Sequence, residues 1–194
     1  MKLRFAALAA ALCLAATASA QDKNPRGAAA GTVGGKKVTI DYGRPALKGR
    51  NLDDLMKQLP EDRMWRAGEN QVTTLTTAGD ITIGGKKVPA GKYSLYVNAP
   101  AIGDWSIAIN SDLGLPLVKL WDKAPDNMKN EPWPHLEGYK NIATKELARA
   151  PMKSGKVSPA AELFTIDMKP AGSGSTLTLS WGERSWSLDV QPGK

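Results

Sequence analysis

Apolar and polar residues alternate one by one along much of the chain, which is typical of β-strands with one face in a core and one towards water. The clearest runs are residues 93–98, in which Tyr93 begins the apolar set, and residues 105–110. Similar short runs, separated by glycine and proline, recur between residues 38 and 190. The pattern predicts roughly nine strands.

A helical period is clearest over residues 51–59. Three leucines and a methionine recur there at i, i+3, i+4 and i+7, which places them on one face of a helix. Asn51 can cap the N-terminus, and Pro60 cannot continue the helix. The sequence therefore predicts one short helix, at about 51–59, after the first strand.

Short strands joined by tight turns favour antiparallel neighbours over βαβ units. Gly84 and Gly85, for example, form a two-residue hairpin signal between two apolar runs. We therefore expect an all-β fold, an antiparallel β-sandwich of about nine strands, in a single domain over residues 33–192. Residues 21–32 are polar and rich in glycine and alanine, with no period, so we expect a disordered lead.

The first 20 residues have the three-part layout of a secretory signal peptide. Lys2 and Arg4 precede an apolar run over residues 5–16, and small residues follow up to Ala20. The run is shorter than the roughly 20 apolar residues that a membrane span needs. We expect cleavage after Ala20 and a periplasmic or secreted mature chain.

The chain has one cysteine, Cys13, which lies within the predicted signal peptide. A cysteine-free mature chain excludes disulfides, cysteine-ligated metals and cysteine nucleophiles. The formal charge of +7 is carried in part by lysine pairs at 36–37 and 86–87, each after two glycines. These pairs fit solvated hairpin tips, and loose attachment to anionic envelope surfaces is the alternative. A nucleic-acid binder has a larger basic stripe with aromatic residues, so we expect no nucleic-acid partner.

Three motifs in chain order resemble the secreted bacterial family known as domain of unknown function 2911. They are Tyr42-Gly-Arg44-Pro45 with Lys48-Gly49-Arg50, then Trp65-Arg66-Ala-Gly68-Glu69-Asn70, then residues 83–95. The resemblance covers roughly Val33 to Val190. It implies a compact, mostly β, exported domain with no assigned activity, and it favours a strand at 146–152. Residues 112–145 depart from the family pattern.

The segment from Tyr42 to Asn70 has the densest mixture of arginine, aromatic and amide residues. The planar guanidinium of arginine grips carboxylate or phosphate at two points, and neighbouring acidic and amide groups add further contacts. The same side chains can instead fix loops by bonding to the backbone, and the sequence leaves both possibilities open. The candidate ligand-binding residues are Tyr42, Arg44, Arg50, Arg66, Glu69 and Asn70.

No catalytic constellation is complete in the sequence, which has neither a Gly-x-Ser-x-Gly motif nor a phosphate-binding loop. His135 is the single histidine, and it is too isolated to suggest a metal site. We expect no cofactor, and an unidentified small ligand or envelope component as partner. The sequence favours a non-enzymatic binding or scaffold module of the cell envelope. The alternative is a hydrolase or lyase acting on envelope carbohydrate or peptide, with Glu69, Arg66 and His135.

Overall fold

Thirteen strands and one α-helix organise residues 25–193, which are the residues that this computed structural model describes. The helix, α1 (Leu52–Lys57), lies between the second and third strands, and three short 3-10 helices cover Leu117–Lys119, Tyr139–Asn141 and Ala143–Lys145. The strands are β1 (Arg26–Val33), β2 (Lys36–Gly43), β3 (Met64–Trp65), β4 (Thr74–Thr77), β5 (Ile81–Ile83), β6 (Lys86–Val88), β7 (Gly91–Asn98), β8 (Ser106–Asn110), β9 (Leu115–Pro116), β10 (Pro132–Trp133), β11 (Glu146–Pro151), β12 (Lys153–Ala171) and β13 (Gly174–Pro192).

All strand pairs are antiparallel within this part of the chain. One sheet has the order β1-β2-β4-β7-β8-β11, with β3 added beside β7, and the other has the order β12-β13-β5-β6. Strands β9 and β10 form a separate small ribbon. The predicted fold class, an antiparallel β-sandwich with one short helix, is confirmed. The strands outnumber the expected nine, chiefly because β1 and three two-residue strands are added.

Apolar side chains from both sheets meet in one core. Leu95 and Ile107 of the larger sheet and Phe164 and Leu179 of the smaller one are fully buried there. Burial of each such side chain contributes about 1.5–3 kcal/mol relative to exposure to water. The period-two positions that predicted the strands therefore also supply the contacts between the sheets.

The outer face of β7 and β8 does not face water, which corrects the expected one-sided burial of these strands. Tyr96 and Ala108 on that face are buried in a second apolar cluster with Met64, Tyr139 and Ile142. The irregular segment between β8 and β11 therefore covers the sheet. Alternation alone cannot separate a solvated face from one that is covered by a distant loop.

Strand β1 corrects the expected disorder of most of the lead. Residues 26–33 pair with β2 in continuous register, and Ala29 and Val33 are buried. Small side chains suit this position, because a Cβ on Gly31 would lie 3.1 Å from the side chain of Met168. Alanine and glycine give little periodic signal, so the strand was missed. The predicted signal peptide, residues 1–20, lies outside the described residues, as do residues 21–24.

Helix α1 begins where the sequence places it and ends slightly earlier than expected. The side chain of Asn51 accepts a hydrogen bond from the backbone nitrogen of Asp53 at 2.7 Å and so caps the N-terminus. Leu52 and Met56 are buried against the core. Within residues 25–193, no helix is long and apolar enough to cross a membrane.

Strand β13 runs for 19 residues and continues through Gly182. Gly182 has φ 61°, and the register with β12 shifts on either side of Ala161. Glycine permits this backbone conformation without a steric cost, so the strand bends and continues.

Candidate functional site

Backbone strain is concentrated in the segment that the sequence singles out. Within residues 25–193, every non-glycine residue with a positive φ lies between β2 and β4: Lys48 (51°), Arg63 (56°), Ala67 (49°) and Asn70 (62°). Such conformations cost most residues about 1–3 kcal/mol and cluster at ligand and active sites. All four of these backbone conformations therefore fall in the connection that contains the candidate residues.

Tyr42 and Arg44 both connect the two sheets through their side chains. The Tyr42 hydroxyl donates to the carbonyl oxygen of Ile166 at 3.2 Å and accepts from its backbone nitrogen at 2.8 Å. Arg44 donates through Nε to the Phe164 carbonyl oxygen at 3.3 Å and through Nη2 to the Thr165 hydroxyl at 3.1 Å. These two candidates have structural roles.

Arg50 and Asn70 also contribute to the shape of the segment. Arg50 donates to the carbonyl oxygens of Leu47 and Ala46, at 2.8 and 2.7 Å, and so closes its own loop. Asn70 has a left-handed backbone, which asparagine tolerates better than most residues. Arg50 lines the polar chamber described below, and Asn70 is not among the residues that line it.

Two adjoining cavities meet at Arg66, which lines both together with Leu59 and Trp65. We call them the apolar chamber, of about 270 Å³, and the polar chamber, of about 490 Å³. The apolar chamber is lined mainly by Leu59, Met64, Trp65, Leu136 and Ile142, with Tyr96, His135 and Tyr139. The polar chamber has the charged side chains of Lys48, Arg50 and Glu69 in its lining, together with Trp181 and apolar residues that include Leu55 and Met56.

Arg66 is the central charged group of these chambers. Burial lowers the pKa of its guanidinium, and the nearby charge of Glu69 opposes that shift. Within residues 25–193, the guanidinium forms neither an ion pair nor a hydrogen bond. Arginine stays charged in proteins, so it bears a desolvation cost here that a bound anion would offset.

An aromatic wall separates the chambers from the core. Trp65 stacks on Trp181 with ring centroids 5.4 Å apart and planes 14° from parallel, and it contacts Phe164 edge-on. The buried indole nitrogen of Trp181 has no hydrogen-bond partner among residues 25–193. One side of the polar chamber is therefore aromatic, and the indole N–H of Trp181 on that side is a donor without a partner among the described residues.

Tyr96 and His135 add polar groups to the apolar chamber. Burial raises the pKa of Tyr96 to about 12, so its phenol keeps its proton at neutral pH. Nε2 of His135 lies 3.0 Å from Oδ1 of Asp112, and the imidazole side chain is 18% exposed. The sequence treats His135 as isolated, because Asp112 is 23 residues away in the chain.

Asp112 is held by three hydrogen bonds beneath the chamber. Besides His135, it accepts from Nζ of Lys145 at 2.8 Å and from the backbone nitrogen of Gly114 at 2.8 Å. Burial by itself raises the pKa of Asp112, but the bonds to Lys145, Gly114 and His135 outweigh it, so the pKa lies below its usual value. Asp112 is not among the residues singled out from the sequence, although Asp-x-Gly is a turn signal.

A larger cavity, of about 850 Å³, lies between α1 and β13 and contains none of the six candidate residues. Its lining includes Arg63, Lys156 and the stacked pair of Trp105 and Trp186, whose ring centroids are 3.9 Å apart. Among residues 25–193, no three His, Cys, Asp or Glu side chains are placed to hold a metal ion.

Comparison with known proteins gives a family but no activity. No curated protein and no solved structure matches the chain. One family model, described as a protein of unknown function (DUF2911), matches residues 24–190 and so covers most of the chain. The match includes all three motifs noted in the sequence and every residue that lines the two chambers, and the chain therefore belongs to the DUF2911 family of proteins of unknown function.

Proposed function

We propose that this protein is an exported binding module of the cell envelope and that its ligand is a small molecule with an anionic head and an apolar body. The observation that carries the proposal is the guanidinium of Arg66, which lines both chambers and has no partner among residues 25–193. A carboxylate or phosphate would form the charge-assisted hydrogen bonds that this group lacks.

The charge of the polar chamber supports an anionic head. Lys48, Arg50 and Arg66 line it, opposed by the single carboxylate of Glu69. Arg50 uses Nε and Nη2 on backbone carbonyls, so its charge stays beside the chamber while its position is fixed. An excess of positive groups at one spot attracts anions and holds them most strongly where water is partly excluded.

The lining of the apolar chamber supports an apolar body on the same ligand. Leu59 and Trp65 line both chambers, and Leu136 adds an apolar side chain to the apolar chamber with 77% of its surface exposed. Ligand sites are commonly clefts of about 300–1,000 Å³ with apolar walls and few polar groups. The two chambers together suit a fatty or aromatic carboxylate.

Export is part of the proposal and rests on the sequence. The layout of residues 1–20 is that of a signal peptide, and the only cysteine, Cys13, lies within it. A ligand met in the periplasm or outside the cell would reach the chambers without crossing a membrane. Cell fractionation of the tagged full-length protein, with N-terminal sequencing, tests this part: Gln21 as the first residue supports it, and Met1 contradicts it.

Calorimetric titration with octanoate tests the binding proposal, with octanamide as the uncharged control. We expect octanoate to bind and octanamide to bind at least about tenfold more weakly, since one charge-assisted contact is worth about 1.5–3 kcal/mol. Arg66→Met keeps the aliphatic part of the side chain and should remove this preference. Equal binding of both compounds, or an unchanged preference in Arg66→Met, would refute an anion site at Arg66.

The alternative of a hydrolase or lyase built on an Arg/Glu/Asn cluster finds less support. Glu69 lines the polar chamber, whereas His135 lines the apolar one, and Asn70 is not among the lining residues of either. Those three side chains therefore do not converge on one ligand position.

A further inference from the structure

His135 and Asp112 form a hydrogen-bonded pair that the binding of a ligand does not by itself require. The Asp112 side chain is only 10% exposed, and each of its three hydrogen bonds comes from a different part of the loop between β8 and β11. An ionised carboxylate only accepts hydrogen bonds, so Nε2 of His135 must donate to it. The imidazole therefore presents Nδ1 as the nitrogen that can take a proton.

Nδ1 of His135 is open to a ligand. Within residues 25–193 this nitrogen has no hydrogen-bond partner. It is also not fully buried, since the buried nitrogen and oxygen atoms that lack a partner do not include it. The residue lines the apolar chamber, as do Arg66 and Tyr96, whose hydroxyl also lacks a partner in the described chain. A base held by a buried carboxylate, in a chamber that a cation and a neutral donor also line, is an arrangement suited to acid–base chemistry.

We propose that His135 acts as a general base in the hydrolysis of esters whose acyl part carries an anionic group, with Asp112 as its positioning residue. The proposal rests on the proposed binding of an anionic ligand and adds a reaction to it. Arg66 would hold the anionic group, the acyl chain would occupy the apolar chamber, and the ester would lie near His135.

The reaction balances with water as the only co-reactant. Nδ1 of His135 takes a proton from water as the water oxygen bonds to the ester carbon, and the carbonyl π electrons move to oxygen. The Tyr96 hydroxyl is the available donor for that oxyanion, and burial keeps its proton in place. The intermediate then expels the alkoxide, which receives the proton from the imidazolium, and a carboxylic acid and an alcohol result.

The mono-4-nitrophenyl ester of adipic acid tests the proposal, because it has a carboxylate head, an apolar chain and an ester that reports its own cleavage. The hexanoate ester of 4-nitrophenol, which lacks the carboxylate, is the matched control substrate. We expect His135→Gln to lower kcat/KM for the adipate ester by about 100-fold, within the range for loss of a general base. Arg66→Met should raise KM for the adipate ester and should not raise KM for the hexanoate ester, which lacks the carboxylate.

The separate effects on kcat and KM distinguish positioning by Asp112 from a purely structural role. Asp112→Asn weakens the hydrogen bond that holds Nε2–H of His135 in place. It should therefore lower kcat for the adipate ester while KM for that ester and the binding of octanoate stay as in the wild type. Loss of octanoate binding together with kcat would show that Asp112 only supports the fold of the chamber.

Octanoate binding distinguishes failure of this inference from failure of the proposed function. Hydrolysis that depends on His135 supports the inference. Wild-type hydrolysis no faster than that of His135→Gln, with octanoate still bound, overturns the inference and leaves the binding module intact. Absence of both hydrolysis and octanoate binding overturns both.

Discussion

The phenol oxygen of Tyr42 in β2 lies 2.8 Å from the backbone nitrogen of Ile166 in β12 and 3.2 Å from its carbonyl oxygen, so one side chain bonds the two sheets together. We expect Tyr42→Phe to lower the free energy of unfolding by about 1–3 kcal/mol, because it leaves buried backbone groups without a partner. Urea unfolding measures this change. An unchanged midpoint and slope would show that the bond contributes nothing.

Arg44 and Arg66 are a matched pair of arginines with opposite roles. Arg44 bonds to Phe164 and Thr165 of the facing sheet, whereas Arg66 makes no hydrogen bond within residues 25–193. We expect Arg44→Met to lower the free energy of unfolding by about 1–3 kcal/mol. Arg66→Met should leave the free energy of unfolding equal or raise it, because the substitution removes a partly buried charge that has no partner. Thermal unfolding of both variants measures the difference. A larger loss for Arg66→Met would contradict these assignments.

Asn110 fixes the segment that forms one wall of the apolar chamber. Its side chain, fully buried, donates to the Ile142 carbonyl oxygen at 2.8 Å and accepts from the backbone nitrogen of Asp112 at 2.8 Å. We expect Asn110→Ala to destabilise the fold by about 2 kcal/mol or more and to expose residues 112–142 to protease. Asn98→Ala, which removes one less buried bond to Asp62, is the control. Equal proteolysis of both variants would rule out this anchoring role.

Asp112 should make the free energy of unfolding depend on pH in the acid range. Its pKa is lowered in the folded state, so its contribution is present above the unfolded pKa of about 3.9 and is lost as the pH falls through the folded value. The difference in unfolding free energy between wild type and Asp112→Asn should therefore shrink from about pH 5 towards pH 2. Urea unfolding at a series of pH values tests this. A difference that is constant over that range would contradict it.

Local patterns in the sequence were sufficient for the fold class. Alternation over residues 93–98 and 105–110 predicted two central strands, and Asn51 marked the start of the helix. Such signals depend on neighbours within a few positions. Strand β1 is not predicted by the sequence, because backbone pairing with β2 holds it and its alanine and glycine residues show no alternation of apolar and polar side chains.

The roles of the candidate residues depend on contacts far apart in the chain. Nothing near Tyr42 or Arg44 indicates that their partners lie in β12, more than 100 residues later. Likewise, the pairing of His135 with Asp112 forms only because the loop between β8 and β11 folds over the sheet. Arg66 lines two cavities, and its predicted role in ligand binding stays a prediction that sequence alone could not separate from the roles of Arg44 and Arg50.

The proposed anion-binding site consists of Arg66 and the two chambers that it lines. A titration of isotope-labelled mature protein with octanoate, followed by the backbone and indole NMR signals, tests this site. Binding there should shift the signals of Leu59, Trp65, Arg66 and Tyr96, and these shifts should disappear in Arg66→Met. Shifts centred on Trp105 and Trp186 in the larger cavity, or no shifts at all, are incompatible with a site at Arg66.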